Sequence, residues 1–235
     1  MEKASQDSAK KTAGYRAADM VRPGMVIGLG TGSTVYYAME RLRERIAQGL
    51  ACEGIPTSFQ TALRAREYGI PLSTLDEYPE IDLAIDGADQ VDPELRLIKG
   101  RGAAQTREKI VAEAAKTFVI VVDESKMVPF LNAPIPVEVL PFAATPVLLR
   151  LKAMGGEPVI REGQKKDGPV ITDNGNFIID CSFYRIDNPE EFERLISCIP
   201  GVIENGIFAR YTKKTVIIAG SGKGCRILPS SDIVP

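Results

Sequence analysis

No histidine occurs anywhere in the 235 residues. Proton transfer near neutral pH must therefore use a carboxylate, a lysine, a tyrosine or a cysteine, and Ser–His or Cys–His triads are excluded. The chain also has no CxxC pair. Its four cysteines, Cys52, Cys181, Cys198 and Cys225, are scattered, which argues against a zinc ribbon or dithiol redox centre and for reduced, buried thiols. No long basic run disturbs the near balance of 29 basic and 31 acidic residues, so no nucleic-acid partner is expected. A negatively charged ligand would then need local lysines or backbone amides. Nor does any run approach the roughly 18 apolar residues of a membrane span. The N-terminal MEKASQDSAKKTAGYRAADMV lacks a signal-peptide core, so a cytoplasmic protein with no membrane partner is expected.

What is present is ordinary for a globular protein: 44% apolar and 26% charged residues, in a length sufficient for one large domain or two small ones. Chemistry concentrates between Ile85 and Lys109. The apolar run Leu83-Ala84-Ile85 reads as a buried strand that delivers Asp86-Gly87-Ala88-Asp89 at its carboxyl end, the edge where ligands sit in open α/β sheets. Lys99-Gly100-Arg101-Gly102 follows, its glycines permitting positive φ and close backbone approach. A helix from about Ala103 to Lys116 is expected next, with Ala104, Ile110, Val111 and Ala114 on an apolar face and Glu108 early in it. Asp86, Asp89, Lys99 and Glu108 are thus expected around one pocket. Acidic residues after strands also cap helices, and TREK is a common surface sequence; the clustering within one strand-loop-helix unit favours chemistry. A partly desolvated glutamate has its pKa raised toward working pH, and a lysine beside carboxylates stays protonated to stabilise an oxyanion. That set suits proton abstraction next to a carbonyl.

Before this stretch, a helix is expected over Ser8–Val21, stopped by Arg22-Pro23-Gly24. Met25–Gly30 reads as a strand, and Thr31-Gly32-Ser33-Thr34 turns it into a helix with Val35, Ala38, Met39, Leu42 and Ile46 on one face. Such a glycine-rich turn cradles an anion. GLGTGS meets G-x-G-x-x-G only at its first two glycines, so a small phosphate suits it better than a dinucleotide; a plain turn capped by Ser33 or Thr31 is the alternative. Further strands are expected at Cys52–Thr57, Pro71–Leu75 and Thr117–Val122, with a helix at Gln60–Tyr68 and Lys126 just past a strand end. This alternation indicates α/β architecture, a doubly wound, mostly parallel Rossmann-like sheet. Beyond Pro129 the rhythm changes: strand 136–140, helix 146–154, strands 157–161, 170–172 and 177–180 with a hairpin signal at Asp173-Asn174-Gly175-Asn176, helix 189–198, strand 201–203. The β-α-β-β-α-β order describes an inserted α+β ferredoxin-like domain. The expected division is 1–131 plus 209–235 for the first domain and 132–208 for the second. Lys214–Ala219 should return to the first sheet, and Gly220-Ser221-Gly222-Lys223-Gly224, lacking the upstream glycine of a P-loop, reads as a turn.

GLGTGSTV at 28–35, TSFQT at 57–61, DGADQVDP at 86–93, KGRGAAQTREKI at 99–110, VDESKMV at 122–128, VEVLPFA at 137–143, TDNGN at 172–176 and PGVIENGIF at 200–208 together resemble the A-type ribose-5-phosphate isomerases over nearly the whole length. The resemblance implies an aldose-ketose isomerase interconverting ribose 5-phosphate and ribulose 5-phosphate in the non-oxidative pentose phosphate pathway, without metal or cofactor. It implies Glu108 as the base shuttling a proton between C1 and C2 through an enediolate. Lys99 and the Asp86-Gly87-Ala88-Asp89 loop would hold sugar hydroxyls and stabilise charge, one aspartate assisting ring opening. Thr31, Gly32, Ser33, Thr34, Gly100, Arg101, Gly102 and Lys126 would line the substrate site, and a homodimer or homotetramer is implied. Arg101 stands where many relatives carry glycine, and GSGKGCRILPSSD departs from the usual ending. Two other functions fit the same fold: a non-catalytic sugar-phosphate sensor, disfavoured because no DNA-binding module precedes Met25, and an amino-sugar-phosphate deaminase, disfavoured by the missing histidine.

Overall fold

The computed structural model describes residues 2–165 and 167–229. In chain order it contains α1 (Glu2–Ala18), β1 (Val26–Leu29), α2 (Ser33–Ala47), β2 (Glu53–Pro56), α3 (Phe59–Glu67), β3 (Ile81–Asp86), β4 (Gln90–Val91), β5 (Leu97–Ile98), α4 (Gln105–Ala114) and β6 (Ala115–Asp123). The second half continues with β7 (Ile135–Val139), α5 (Ala144–Ala153), β8 (Glu157–Ile160), β9 (Phe177–Ser182), α6 (Pro189–Ser197), β10 (Val202–Asn205), β11 (Ile207–Phe208), β12 (Thr215–Ser221) and β13 (Gly224–Leu228). Two compact units emerge. The first takes the chain up to Ala88, Arg107–Met127 and the chain from Tyr211; the second takes Asp89–Thr106 and Val128–Arg210.

In the first unit the strands lie in the order β13-β12-β6-β3-β1-β2, parallel throughout except for β13, which pairs antiparallel with β12. From Phe118 to Val122 β6 is a continuous apolar run because it is buried on both faces; Phe118, Ile120 and Val121 are fully enclosed. Each such side chain is worth about 1.5–3 kcal/mol of transfer free energy. One core of this unit gathers Ala13, Ala17, Val35, Met39, Leu42, Ile27, Leu29 and Val119, so α1 and α2 share one side of the sheet. The chain passes from β1 outward to β2, then returns to the other side of β1 as β3. That reversal makes the carboxyl ends of β1 and β3 the topological switch point.

The second unit carries a four-stranded antiparallel sheet, β10-β7-β9-β8, with α5 and α6. That strand order and the sequence β-α-β-β-α-β are those of the ferredoxin-like motif. A three-stranded sheet, β11-β5-β4, belongs to the same unit. Asn188 caps α6 through Glu191 N–H, as its position before Pro189 predicts. The smaller unit also takes in Asp89–Thr106, within the span expected for the first domain. That segment brings β4 and β5, strands of two residues each, too short to show a periodicity.

Three expectations are corrected. Pro71–Leu75 forms no strand, only one parallel bridge from Leu72 to Gly54, since proline cannot donate to a ladder. Val170–Thr172 likewise gives a single bridge, Ile171 to Phe177. On α4 Val111 is buried as expected, but Ile110, expected on the same apolar face, is exposed, while Gln105, Thr106, Glu108 and Lys109 are buried. The Gly222-Lys223 segment is the turn between β12 and β13, as read. Of the divergent C-terminal stretch, 230–232 lie outside the described residues. No helix among the described residues is long and apolar enough to cross a membrane. All four cysteines are free, but only Cys52 and Cys181 are buried; Cys198 and Cys225, expected to be buried too, are exposed, and burial pushes the Cys181 thiol up to about 12.

Candidate active site

The switch point of the first unit is built from contacts between its two inner strands and the helices they feed. A side chain cannot fit at Gly30, because a Cβ there would stand 2.1 Å from Asp86 Oδ1. The buried Asp86 carboxylate lies against this backbone and accepts from Gly87 N–H at 2.7 Å and Thr31 N–H at 3.2 Å. Gly32 turns the chain into α2 with φ 120°, a conformation L side chains rarely adopt, and no side chain caps the helix. The capping role weighed for Ser33 or Thr31 is therefore not played. The first-turn amides of α2 are left with their dipole at this edge.

Thr31 does something different from what its place in the turn suggests. Its hydroxyl joins a cluster with Thr57 at 3.0 Å, Ser58 at 2.8 Å and Thr61 at 3.2 Å. Thr61 Oγ1 in turn donates to Gly30 O at 2.8 Å, and Thr57 Oγ1 to Leu29 O at 3.1 Å. This hydroxyl network braces the end of β1, and Ser58 also caps α3. TSFQT was conspicuous as a motif, but no local pattern assigns it that work, because the partners lie about one βα unit away.

Glu108 stands in the first turn of α4 and is 5% exposed. Because α4 runs directly into parallel strand β6, its N-terminal turn lies toward the carboxyl edge of the sheet. Its packing is tight: Val111 Cγ1 is 2.3 Å from where a Cβ on Gly28 would stand. Lys126 ends the short 3-10 turn that follows β6, which Asp123 opens by accepting from Ser125 N–H at 3.1 Å. The first unit thus brings Thr31–Thr34, Asp86, Gly87, Ala88, Glu108 and Lys126 to the strand ends of one sheet.

Asp89, Lys99, Gly100, Arg101 and Gly102 belong to the second unit. Lys99 is 2% exposed, with its ammonium 5.4 Å from the Phe208 ring centroid and its N–H donated to Gly206 O at 2.9 Å. Gly100 has φ 101° and accepts from Ala103 N–H at 2.9 Å, closing a tight turn. Arg101 N–H reaches Asp89 Oδ2 at 3.0 Å, while Asp89 N–H bonds Ile98 O at 2.8 Å. Gln105, fully buried, packs under Gly100, its Oε1 2.9 Å from where a Cβ would be. Arg161, paired with Asp180 of the four-stranded sheet, reaches this turn. Neither they nor Gln105 were singled out from sequence, since each depends on strand register. Among the described residues no group of three or more Cys, Asp or Glu could hold a metal ion.

The chain is similar in sequence and in fold to known proteins. The family profile described as "Ribose 5-phosphate isomerase A (phosphoriboisomerase A)" matches residues 53–223. Ribose-5-phosphate isomerase A of Methanoregula boonei is 62% identical over 228 residues, 97% of this chain and 96% of the relative. The solved ribose 5-phosphate isomerase A of Methanocaldococcus jannaschii superposes with a TM-score of 0.89 at 50% identity, covering 94% of this chain and 97% of that one. A solved D-ribose-5-phosphate isomerase in complex with phospho-erythronic acid superposes at 0.91 with 47% identity, covering 95% and 98%.

Proposed function

Since the chain belongs to the ribose 5-phosphate isomerase A family, we propose that it interconverts D-ribose 5-phosphate and D-ribulose 5-phosphate, with Glu108 as the base. In the open-chain aldose the carboxylate takes the C2 proton, the electron pair moves toward the carbonyl to give an enediolate, a proton passes from O2 to O1, and the carboxylate returns its proton at C1. Asp86 and Asp89 hold the sugar hydroxyls, one of them assisting ring opening, and Lys99 stabilises the developing oxyanion. Thr31–Thr34, Gly100–Gly102 and Lys126 receive the rest of the substrate. In this reading the Thr31 hydroxyl braces the turn rather than the ligand.

The observation that carries the proposal is Glu108, a buried carboxylate in the first turn of a helix, in a chain with no histidine to take its place. A carboxylate withdrawn from water suits abstraction of a weakly acidic proton. The complex of a relative with phospho-erythronic acid supports the same chemistry. The protein is assigned to the cytoplasm as a homodimer or homotetramer, supported by four free thiols and by the exposed Phe142, Leu149 and Val159 of the smaller unit. Incubation with ribose 5-phosphate in a metal chelator tests the activity. Ketose should form at the full rate; no ketose, or ketose only after metal is restored, would refute it.

A further inference from the structure

We propose that Arg161, held by Asp180, is a positioning residue for the 99–102 turn, fixing the direction in which that turn presents its amides; this rests on the reading of Gly100–Gly102 as substrate-facing. Arg161 follows β8 directly, and its own backbone is tied on both sides: its N–H donates to Ile178 O at 2.8 Å, and its carbonyl accepts from Val170 N–H at 2.8 Å. Asp180 sits on β9, opposite Val159. Between the two side chains runs a two-pronged pairing, Nε to Oδ2 at 2.7 Å and Nη2 to Oδ1 at 2.5 Å. This planar fork leaves Nη1 aimed in one direction.

Nη1 donates to two successive carbonyls, Gly100 O at 3.1 Å and Arg101 O at 3.0 Å. In a trans peptide the N–H points opposite to the C=O. Two carbonyls turned toward one cation therefore turn the N–H groups of Arg101 and Gly102 to the far side. The first of these reaches Asp89 Oδ2 at 3.0 Å, so the arginine also sets where that carboxylate stands. A cation on the carbonyl side polarises both peptides and strengthens their N–H groups as donors to a hydroxyl or oxyanion. The arginine side chain is 18% exposed, so water screens this effect only in part. Arg161 touches no reacting atom; it acts through the backbone that does.

The test compares wild type, Arg161→Ala, Arg161→Lys and Asp180→Asn for turnover of ribose 5-phosphate, inhibition by phospho-erythronic acid and thermal midpoint. A displacement of about 1 Å at a substrate-holding group can cost on the order of 100-fold. Arg161→Ala should lower kcat/KM by about 10- to 100-fold and weaken the inhibitor in parallel. Lysine, which keeps the charge but not the fork, should fall between wild type and alanine, as should Asp180→Asn. A folded Arg161→Ala or Arg161→Lys enzyme with wild-type kcat/KM and inhibition sinks the positioning role and leaves the isomerase reading intact. So does a loss explained wholly by a lower thermal midpoint, with unchanged kcat/KM for the folded fraction. A wild type that neither turns over ribose 5-phosphate nor binds the inhibitor sinks both.

Discussion

Gly30 has no side chain because Asp86 occupies the space one would need. Gly30→Ala must move either the strand end or the carboxylate, and overpacking of this kind costs about 1–3 kcal/mol. Beyond that loss in denaturant unfolding, kcat/KM should fall by roughly 10-fold or more, since Asp86 is displaced. A folded variant with unchanged kcat/KM would show that the position of Asp86 does not matter. The sequence shows Gly30 as part of a glycine-rich turn, but not the reason for it. The group that demands it lies far along the chain, and only the pairing of β1 with β3 sets them side by side. The same holds for Thr31, whose hydroxyl cluster depends on α3 standing beside the end of β1. The roles proposed for Asp86, Asp89, Lys99 and Glu108 came from residue type, clustering and family resemblance, which single-residue variants now test one by one.

At the scale of elements, α4 is the informative case. A helix was foreseen over about 103–116, but its apolar face was misjudged at Ile110, because the buried face at its beginning is polar. Thr106, at that beginning, gives its hydroxyl to Glu138 on β7 within the smaller unit. Glu138 is fully buried and also accepts from Thr172 Oγ1 at 2.7 Å, Asn174 Nδ2 at 3.1 Å and Asn176 Nδ2 at 2.9 Å. The TDNGN stretch was readable as a hairpin turn. That its side chains converge on a carboxylate in another strand was not, since nothing local announces the register. Glu138→Ala removes the acceptor from four donors, of which Thr106, Thr172 and Asn176 are buried, and unsatisfied buried donors cost about 1–3 kcal/mol each before relaxation. Unfolding free energy should drop by about 3 kcal/mol or more. A drop below about 0.5 kcal/mol, typical of a surface change, would mean that the cluster is not the tie it looks like.

Across the whole molecule, the alternation of strands and helices sufficed to read the doubly wound sheet, and the later β-α-β-β-α-β order sufficed for the ferredoxin-like unit. Strand order within each sheet lay beyond the sequence pattern, and with it the switch point between β1 and β3. Assembly is the remaining property at this scale. Phe142 is 99% exposed, an orientation that suits contact with a second copy. Light scattering coupled to size exclusion should give a multiple of the 25.5 kDa chain mass. Phe142→Glu should shift that mass downward if this side chain lies in the interface; a wild-type mass of one chain would contradict the oligomer. The most direct test of the central claim is steady-state turnover of ribose 5-phosphate by Glu108→Gln, which keeps the size of the side chain and removes the base. A loss in kcat of about 10²- to 10⁴-fold with an unchanged thermal midpoint is expected; a loss of less than about 10-fold would contradict the assignment of Glu108 as the base.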